Sequence, residues 1–187
     1  MLYTDKKILT ANDLKIQRGI EGNSFKKRLQ YQIKKGYLSK IKKWIYVLCG
    51  QKENITLKDI LGLACNIYAP SYISFETVLQ KEGIIFQDYE TIFVACRYNK
   101  EITLDALNTT IHFCKIPEKV LMNPIGLINE WNILRAGPER AICDTVYRSP
   151  NYYFDNLNDV NKDNIKEQIN VYQKPSLTTR VLSLIQD

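Results

Sequence analysis

The sequence predicts an α+β protein. Apolar residues recur at helical spacing over residues 11–35, several runs rich in β-branched and aromatic residues follow, and helical spacing returns after residue 137. The chain has 187 residues, 45% of them apolar and 25% charged, which is enough for a small module and a larger one. We therefore expect two modules, residues 1–50 and residues 51–187.

The first predicted helix is Ala11–Arg18. Thr10 and Asp13 have the spacing of a capping box, with Asp in place of the more common Glu. Gly19 follows the last helical residue and is suited to end the helix.

The second predicted helix lies in the segment "GNSFKKRLQYQIKKG". Asn23 or Ser24 is expected as its N-cap, and the closing glycine as the residue beyond its C-terminus. Phe25, Leu29 and Ile33 are four residues apart and form an apolar face. Basic and polar residues occupy the other faces, so the sequence predicts an amphipathic helix with a basic flank.

The segment "YLSKIKKWIYVL" is rich in β-branched and aromatic residues. It predicts two short strands joined at Lys42 and Lys43. The resulting order of helix, turn, helix and hairpin is that of a winged helix-turn-helix, which we expect over residues 1–50.

The second module is predicted to be a mixed α+β domain with C-terminal helices. Helices are expected at Leu57–Ile67 and at residues 75–82, the latter with Ser74 as N-cap. Strand-like content follows in "TIFVACRYN", "EITLDAL", "TTIHFCKI" and "GLINEWNILRA". Helical patterns return in "GPERAICDTVYR", "NKDNIKEQINVYQ" and "SLTTRVLSLIQ". The buried face of the first of these three helices should comprise Ala141, Ile142, Thr145 and Val146.

Positive charge is concentrated in the N-terminal segment 1–48. This segment contains 12 Lys and Arg against three acidic residues, whereas the remainder contains 14 basic and 17 acidic residues. Residues 23–48 alone contain eight basic residues and no acidic one. Because clustered positive charge attracts polyanions, this part of the chain predicts a nucleic-acid contact.

In a winged helix the second helix enters the major groove, while other basic groups hold phosphates and fix the register. We expect Gln30 and Tyr31 to contact bases, and Lys42 and Lys43 to contact phosphates or the minor groove at the hairpin tip. The candidate DNA-binding residues are Lys26, Lys27, Arg28, Gln30, Tyr31, Lys34, Lys40, Lys42, Lys43 and Trp44.

The aromatic residues among these lysines allow an alternative. Tyr31, Tyr37, Trp44 and Tyr46 interleave with basic residues, and base stacking on such rings is how single strands and RNA are held. The structural explanation is that Tyr37, Trp44 and Tyr46 pack the hairpin onto the helices, and we favour it for Tyr37 and Tyr46. An RNA-binding module is therefore kept as an alternative.

Enzymatic interpretations are less favoured. His112 and Cys114 are two residues apart in a predicted strand and share one face, but no group is evident that would orient the histidine. Arg140 and Asp144 have the i, i+4 spacing of a surface ion pair, whereas Glu139 does not share that face with Asp144. We find no glycine-rich phosphate loop and no zinc-ligand spacing. We expect no catalytic residue, no metal and no cofactor.

The cysteines and the first residues bear on the compartment. The five cysteines are odd in number, widely spaced and without a CxxC pair, which is typical of free thiols in a reducing compartment. The segment "MLYTDKKILTANDL" is charged where a signal peptide is apolar, and no run of apolar residues is long enough to span a bilayer. We expect a cytoplasmic protein without membrane contact.

Three blocks together resemble the AbiEi family, the antitoxin and transcriptional-regulator half of bacterial type IV abortive-infection toxin-antitoxin pairs. They are "IKKGYLSKIKKWIYVL", "SYISFETVLQKEGII" and "RAGPERAICDTVYR". The resemblance extends over residues 34–148 with little interruption, and the C-terminal "NDVNKDNIKEQINVYQKPSLTTRVLSLI" is similar to the helical end of such proteins. The resemblance implies an N-terminal winged helix that binds duplex operator DNA and represses its own operon. It also implies that the remainder counters a nucleotidyltransferase-type toxin, without chemistry of its own.

The hairpin departs from the family pattern at one position. Such proteins usually have a glycine where this chain has Trp44. The hairpin tip is therefore expected either to differ in shape or to use Trp44 as a contact. The alternative to an antitoxin is a stand-alone winged-helix repressor whose second domain senses a ligand or dimerises; a nucleotidyltransferase gene in the same operon would favour the antitoxin.

Overall fold

A computed structural model describes residues 6–19 and 21–185 of the chain. It contains both helices and strands, and the strands form two separate sheets, so the predicted α+β class is confirmed. The smaller sheet has three strands and lies in the N-terminal region, before Gly50. The larger sheet has six strands and lies in the rest of the chain.

The described part of the N-terminal region contains two helices and a three-stranded antiparallel sheet. The elements are β1 (Ile8–Thr10), α1 (Ala11–Arg18), α2 (Gly22–Lys34), β2 (Leu38–Lys42) and β3 (Ile45–Leu48). The strand order is β1-β3-β2, so the hairpin formed by β2 and β3 is extended by the strand that precedes the helices.

The predicted start and end of α1 are confirmed. The Asp13 backbone N–H donates to Thr10 Oγ1 at 3.1 Å, and the Thr10 backbone N–H donates to Asp13 Oδ2 at 2.8 Å. These reciprocal bonds form a capping box. Gly19 then adopts a φ of +58°, and its N–H donates to the carbonyl of Lys15 at 2.9 Å.

The predicted N-cap of α2 is wrong. The helix begins at Gly22, so Asn23 and Ser24 lie inside its first turn, and Glu21 precedes it without a side-chain capping bond. The reason is that the chain turns at Gly22, whose φ of +66° is accessible to glycine at little cost. The helix therefore begins before Asn23 and Ser24.

The apolar face of α2 is buried only in its first half. Phe25 is buried and Leu29 is half-buried, whereas Ile33 is 36% exposed. The C-terminal half of α2 therefore projects beyond the core, and most of its side chains are exposed to solvent.

Strands β1 and β3 of the small sheet are buried on both faces, whereas the edge strand β2 is mostly exposed. Leu9, Leu38 and Tyr46 form one buried cluster with Ala11, Leu14 and Phe25 of the two helices. The opposite face, with Ile8, Ile45 and Val47, belongs to the main core of the protein, which also includes Leu63 and Ala64. In addition, Lys7 Nζ lies 3.1 Å from Asp59 Oδ2 and 2.6 Å from the carbonyl of Asn54. The N-terminal region therefore shares a core with the rest of the chain.

The six-stranded sheet is mixed. Its strands are β4 (Tyr72–Ile73), β5 (Thr91–Cys96), β6 (Lys100–Leu104), β7 (Thr109–Lys115), β8 (Leu127–Glu130) and β9 (Ile133–Ala136), in the order β6-β7-β5-β4-β9-β8. The pairs β5–β7 and β4–β9 are parallel and the others antiparallel. The predicted strand in "GLINEWNILRA" is thus a hairpin, with Trp131 and Asn132 as its two-residue turn.

In the described part of the chain, six α-helices accompany this sheet: α3 (Leu57–Ile67), α4 (Glu76–Lys81), α5 (Glu118–Leu121), α6 (Pro138–Arg148), α7 (Lys162–Tyr172) and α8 (Pro175–Leu184). α6 packs against α4, α7 and α8 and is the central helix. The predicted buried face of α6 is confirmed, since Ala141, Ile142, Thr145 and Val146 are all buried.

The predicted N-cap of α4 is wrong. The N-cap is Phe75, with a φ of +55°, and the helix begins at Glu76. The hydroxyl of Ser74 instead donates to Asp144 Oδ2 at 2.6 Å, because Ser74 faces the interior.

The surface ion pair expected between Arg140 and Asp144 is also wrong, because both side chains are fully buried. Arg140 Nη2 donates to the carbonyl of Val120 at 2.6 Å and to the hydroxyl of Tyr72 at 3.0 Å. Asp144 accepts hydrogen bonds from the hydroxyls of Tyr72, Ser74 and Tyr172. The spacing is as expected, but the helix face is turned into the core rather than toward solvent.

Among the described residues, no helix combines the length and the apolar character needed to cross a bilayer.

Candidate nucleic-acid interface

All ten candidate DNA-binding side chains are exposed. Helix α2 positions six of them and the β2–β3 hairpin the other four. The hairpin follows α2 directly, through a turn in which Gly36 has a φ of +74° and its N–H donates to the carbonyl of Ile33 at 3.0 Å. The exposed residues are Lys26, Lys27, Arg28, Gln30, Tyr31 and Lys34 on the helix, and Lys40, Lys42, Lys43 and Trp44 on the hairpin.

The helical period separates the candidates on α2 by face. At about 100° per residue, Lys27, Gln30 and Lys34 lie on the side opposite the buried Phe25. Tyr31 lies beside them and is 56% exposed. This face therefore presents basic, amide and aromatic groups to solvent together, which is the mixture needed to contact both phosphates and base edges.

The positive charge of residues 23–48 is not compensated by nearby carboxylates. Of the eight basic residues in this segment, none forms an ion pair with a carboxylate of residues 6–19 or 21–185. Basic residues elsewhere do form such pairs, with N–O separations such as 2.8 Å for Lys6–Asp13 and Lys81–Glu130. The segment that carries the uncompensated charge comprises Lys26, Lys27, Arg28, Lys34, Lys35, Lys40, Lys42 and Lys43; we call it the basic segment.

Two aromatic rings in the basic segment have ammonium groups over them. Lys35 Nζ lies 5.9 Å from the centroid of Tyr31, and Lys43 Nζ lies 5.6 Å from that of Trp44, which is 53% exposed. Each ring thus has a cation beside it and an exposed surface. Sequence reasoning did not select Lys35, although it lies four residues after Tyr31, the spacing at which helical side chains meet.

The predicted packing role is confirmed for Tyr46 and wrong for Tyr37. Tyr46 is 4% exposed and lies in the smaller buried cluster, whereas Tyr37 is 60% exposed. Tyr37 immediately precedes β2, and its neighbour Leu38 is the buried residue. Because side chains alternate between the faces of a strand, the ring of Tyr37 is left outside.

The hairpin turn lies one residue later than predicted. β2 continues to Lys42, and the turn consists of Lys43 and Trp44. Trp44 has a φ of +71°, a conformation in which glycine is far better tolerated than a bulky side chain. The Ala11 backbone N–H donates to the carbonyl of Trp44 at 2.8 Å, so the start of α1 holds this turn.

Lys42 differs from the other candidates. Its Nζ donates to the carbonyl of Thr103 at 2.5 Å, and Thr103 belongs to the edge strand β6 of the large sheet. Among the described residues, no other of the ten candidates has a hydrogen-bonded side chain. This bond restrains the Lys42 ammonium at the large sheet and occupies one of its three N–H donors, whereas Lys43 has no such restraint among the described residues.

The contacts of His112 and Cys114 give them packing roles. The His112 ring stacks on Phe93, with 5.6 Å between centroids and 27° between planes. Arg148 Nη1 donates to Cys114 Sγ at 3.0 Å, but burial raises the pKa of the thiol to about 11, and the cation offsets this only in part. A protonated, buried thiol is a poor nucleophile. The described residues contain no group of three His, Cys, Asp or Glu side chains placed to hold a metal ion.

No protein-family model matches this chain, and no curated protein matches it either. The resemblance to the AbiEi family therefore stays a prediction that rests on the three sequence blocks.

Proposed function

We propose that this protein is a transcriptional repressor of the AbiEi antitoxin kind. Residues 1–50 would form a winged helix-turn-helix that binds duplex DNA at the operator of its own operon, and residues 51–187 would counter a nucleotidyltransferase-type toxin. The observation that carries the DNA-binding part is the basic segment, whose eight cations lack a carboxylate partner among the described residues.

The element order supports a winged helix. α1 ends just before Gly19, α2 begins at Gly22, and a β-hairpin that pairs with β1 follows. In such a module α2 is the recognition helix, and the hairpin is the wing. These two assignments determine which part of the DNA α2 and the hairpin would contact.

Duplex DNA would meet two kinds of contact. The exposed face of α2 would enter the major groove, where Gln30 can pair with an adenine edge and Tyr31 can contact a neighbouring base or phosphate. Lys43 and Trp44 at the hairpin tip would lie against the backbone or in the minor groove. The cations of the basic segment would supply most of the affinity, because each phosphate that they neutralise releases counterions.

The salt dependence of binding tests this proposal. If about five phosphates are neutralised, the logarithm of the association constant should fall against the logarithm of salt concentration with a slope of about −4 to −5. Fluorescence anisotropy on the operator-containing duplex measures this slope. A slope near zero would place the charge outside the interface. RNA of the same sequence serves as the comparison, and tighter binding of that RNA would favour the RNA-binding alternative.

A second experiment separates base contacts from phosphate contacts. Gln30→Ala should weaken binding to the operator by roughly 1 to 3 kcal/mol while leaving affinity for random DNA nearly unchanged. Lys43→Ala should weaken both equally and lower the salt slope by about one unit. Lys42→Ala should have a smaller effect than Lys43→Ala, because the Lys42 ammonium is bonded to Thr103 in the free protein. Equal loss on operator and random DNA for Gln30→Ala would contradict the proposed orientation of α2.

The antitoxin part of the proposal needs a protein surface rather than an active site. Residues 49–187 contain three more acidic than basic residues, so they are not suited to hold nucleic acid. α6 is core and not contact surface, since seven of its residues are buried. A toxin would therefore bind residues 51–187 at a surface other than α6. Co-expression of this protein with the nucleotidyltransferase of the same operon tests whether the toxin is neutralised.

A further inference from the structure

An apolar cavity of about 430 Å³ lies between α3, α4 and the large sheet. This volume is within the range of small-molecule binding sites, roughly 300 to 1,000 Å³. α3, β4, α4, β5 and β9 all contribute to its apolar wall, so the cavity is built from the ordered elements of the fold. The apolar residues that line it are Leu57, Leu61, Ile73, Val78, Ile92 and Ile133.

Trp131 forms one side of the cavity. It lies in the two-residue turn between β8 and β9, where Trp131 and Asn132 have φ values of +57° and +63°. Both angles are those of a tight two-residue hairpin turn. The ring is 57% exposed and has the ammonium groups of Lys58 and Lys81 at 5.8 and 5.9 Å from its centroid. An aromatic surface thus borders an apolar chamber.

The two cations that line the cavity, Lys81 and Arg135, already have carboxylate partners. Lys81 Nζ lies 2.8 Å from Glu130 Oε2, and Arg135 Nε lies 2.6 Å from the same oxygen. Arg135 Nη1 also lies 3.0 Å from Glu82 Oε1. An anionic ligand would have to displace one of these carboxylates to gain a cation.

Of the four charged side chains that line the cavity, only Glu90 has no hydrogen-bond or ion-pair partner among the described residues. Glu90 also lines an adjoining polar cavity of about 140 Å³, together with Asp105, whose side chain has no such partner within residues 6–19 and 21–185 either. The other residues that line this smaller cavity carry hydroxyls and an amide: Thr91, Thr103, Asn108, Thr109 and Thr110. The ammonium of Lys42 donates to the carbonyl of Thr103 and does not line the cavity itself.

We propose that the two cavities together bind an amphipathic organic cation. Its apolar body occupies the larger, apolar chamber, and its ammonium lies at Glu90 and the smaller polar cavity. Apolar walls offer water few hydrogen-bond partners, so displacing water from the chamber favours the apolar body. The free carboxylate of Glu90 then selects for positive charge, while the paired state of Lys81 and Arg135 disfavours negative charge.

Three probes with the same apolar body test the selectivity: 4-phenylbutylamine, 4-phenylbutan-1-ol and 4-phenylbutyrate. The chain has two tryptophans, so Trp44→Phe in the full-length protein leaves Trp131 as the only indole and as a fluorescence reporter at the cavity. We expect saturable changes with the amine and the alcohol. The amine should bind at least about tenfold more tightly than the carboxylate, from charge attraction in one case and repulsion in the other.

Variants then locate the ammonium. Glu90→Gln should weaken amine binding about fivefold, as expected for a solvent-accessible ion pair, and leave alcohol binding unchanged. Glu101→Gln is the matched control, because Glu101 is an exposed carboxylate on β6 that lines neither cavity, and it should change neither ligand's affinity. Leu57→Ser should weaken the amine and the alcohol alike, since Leu57 lines the chamber and is 65% exposed and thus outside the core.

Two results would overturn the proposal. One is the absence of saturable binding by all three probes, which would leave the chamber to an apolar side chain of a protein partner. The other is amine binding that does not exceed carboxylate binding or that Glu90→Gln does not weaken. Neither result depends on DNA binding, which is measured separately.

Discussion

Affinity for operator DNA is expected to fall roughly 100-fold at about 0.1 M salt when Lys26, Lys27 and Arg28 are all replaced by glutamine. Each neutralised phosphate contributes about 0.9 to the slope of the logarithmic salt dependence, so losing three contacts should lower its magnitude by about 2 to 3. The three side chains are exposed and have no carboxylate partner among the described residues, so the fold should be unaffected. Anisotropy titrations at several salt concentrations, with circular dichroism on the same samples, measure both effects.

The matched control removes three positive charges from the rest of the chain. Lys115, Lys119 and Lys162 are also exposed, and their replacement by glutamine gives the same change in net charge. We expect that variant to bind DNA within about twofold of the parent protein. A similar loss from both triple variants would mean that overall charge, and not the basic segment, determines binding.

The same pair of variants separates repression from antitoxin action. The glutamine triple on α2 should lose repression of the operon promoter but still protect cells that express the co-encoded nucleotidyltransferase. The full-length chain is required because the small sheet shares its core with the larger one. Loss of protection together with repression would indicate that the antitoxin effect acts through transcription alone.

Replacing Asp144 with alanine is expected to lower the free energy of unfolding by about 3 to 5 kcal/mol, the usual effect of removing one partner of a buried ion pair. Arg140 would remain fully buried with its charge uncompensated, and the hydroxyls of Tyr72, Ser74 and Tyr172 would lose their acceptor. Urea-induced unfolding followed by circular dichroism measures the difference.

Two further variants serve as controls for the Asp144→Ala measurement. Asp163→Ala removes an exposed carboxylate that pairs with Lys166, and its effect should be within about 0.5 kcal/mol. The double replacement of Arg140 by Met and Asp144 by Leu should recover much of the lost stability, because it removes both buried charges. A loss below about 1 kcal/mol for Asp144→Ala would show that the carboxylate is not the centre of this network.

Local signals in the sequence predicted most helices. The capping box of Thr10 and Asp13 predicted the start of α1, and helical spacing predicted α3 at its observed bounds and α6 within its observed segment. Three short elements were missed: β1, β4 and α5 have three, two and four residues. Strands as short as β1 and β4 have too few residues for an alternating pattern, and their stability comes from pairing with β3, β5 and β9, which are distant in sequence.

The exposure of the basic segment was predictable, because charged residues on a helix with one apolar face point to solvent. Two other features were not. The i, i+4 spacing of Arg140 and Asp144 shows that they are neighbours but not whether their face is buried, which depends on the helices packed around α6. The bond from Lys42 to Thr103 joins residues 61 positions apart, and only the fold brings them together.

The burial of β1 and β3 on both faces of the small sheet bears on how such a protein can evolve. A DNA-binding segment with a core of its own can be exchanged between proteins as a cassette, because few contacts cross its boundary. Here Ile8, Ile45 and Val47 lie in the core of the larger region, so a replacement segment must match that surface as well. New operator specificity is more accessible through substitutions at exposed positions of α2, such as Lys27 and Gln30, which change the DNA contact without altering the shared core.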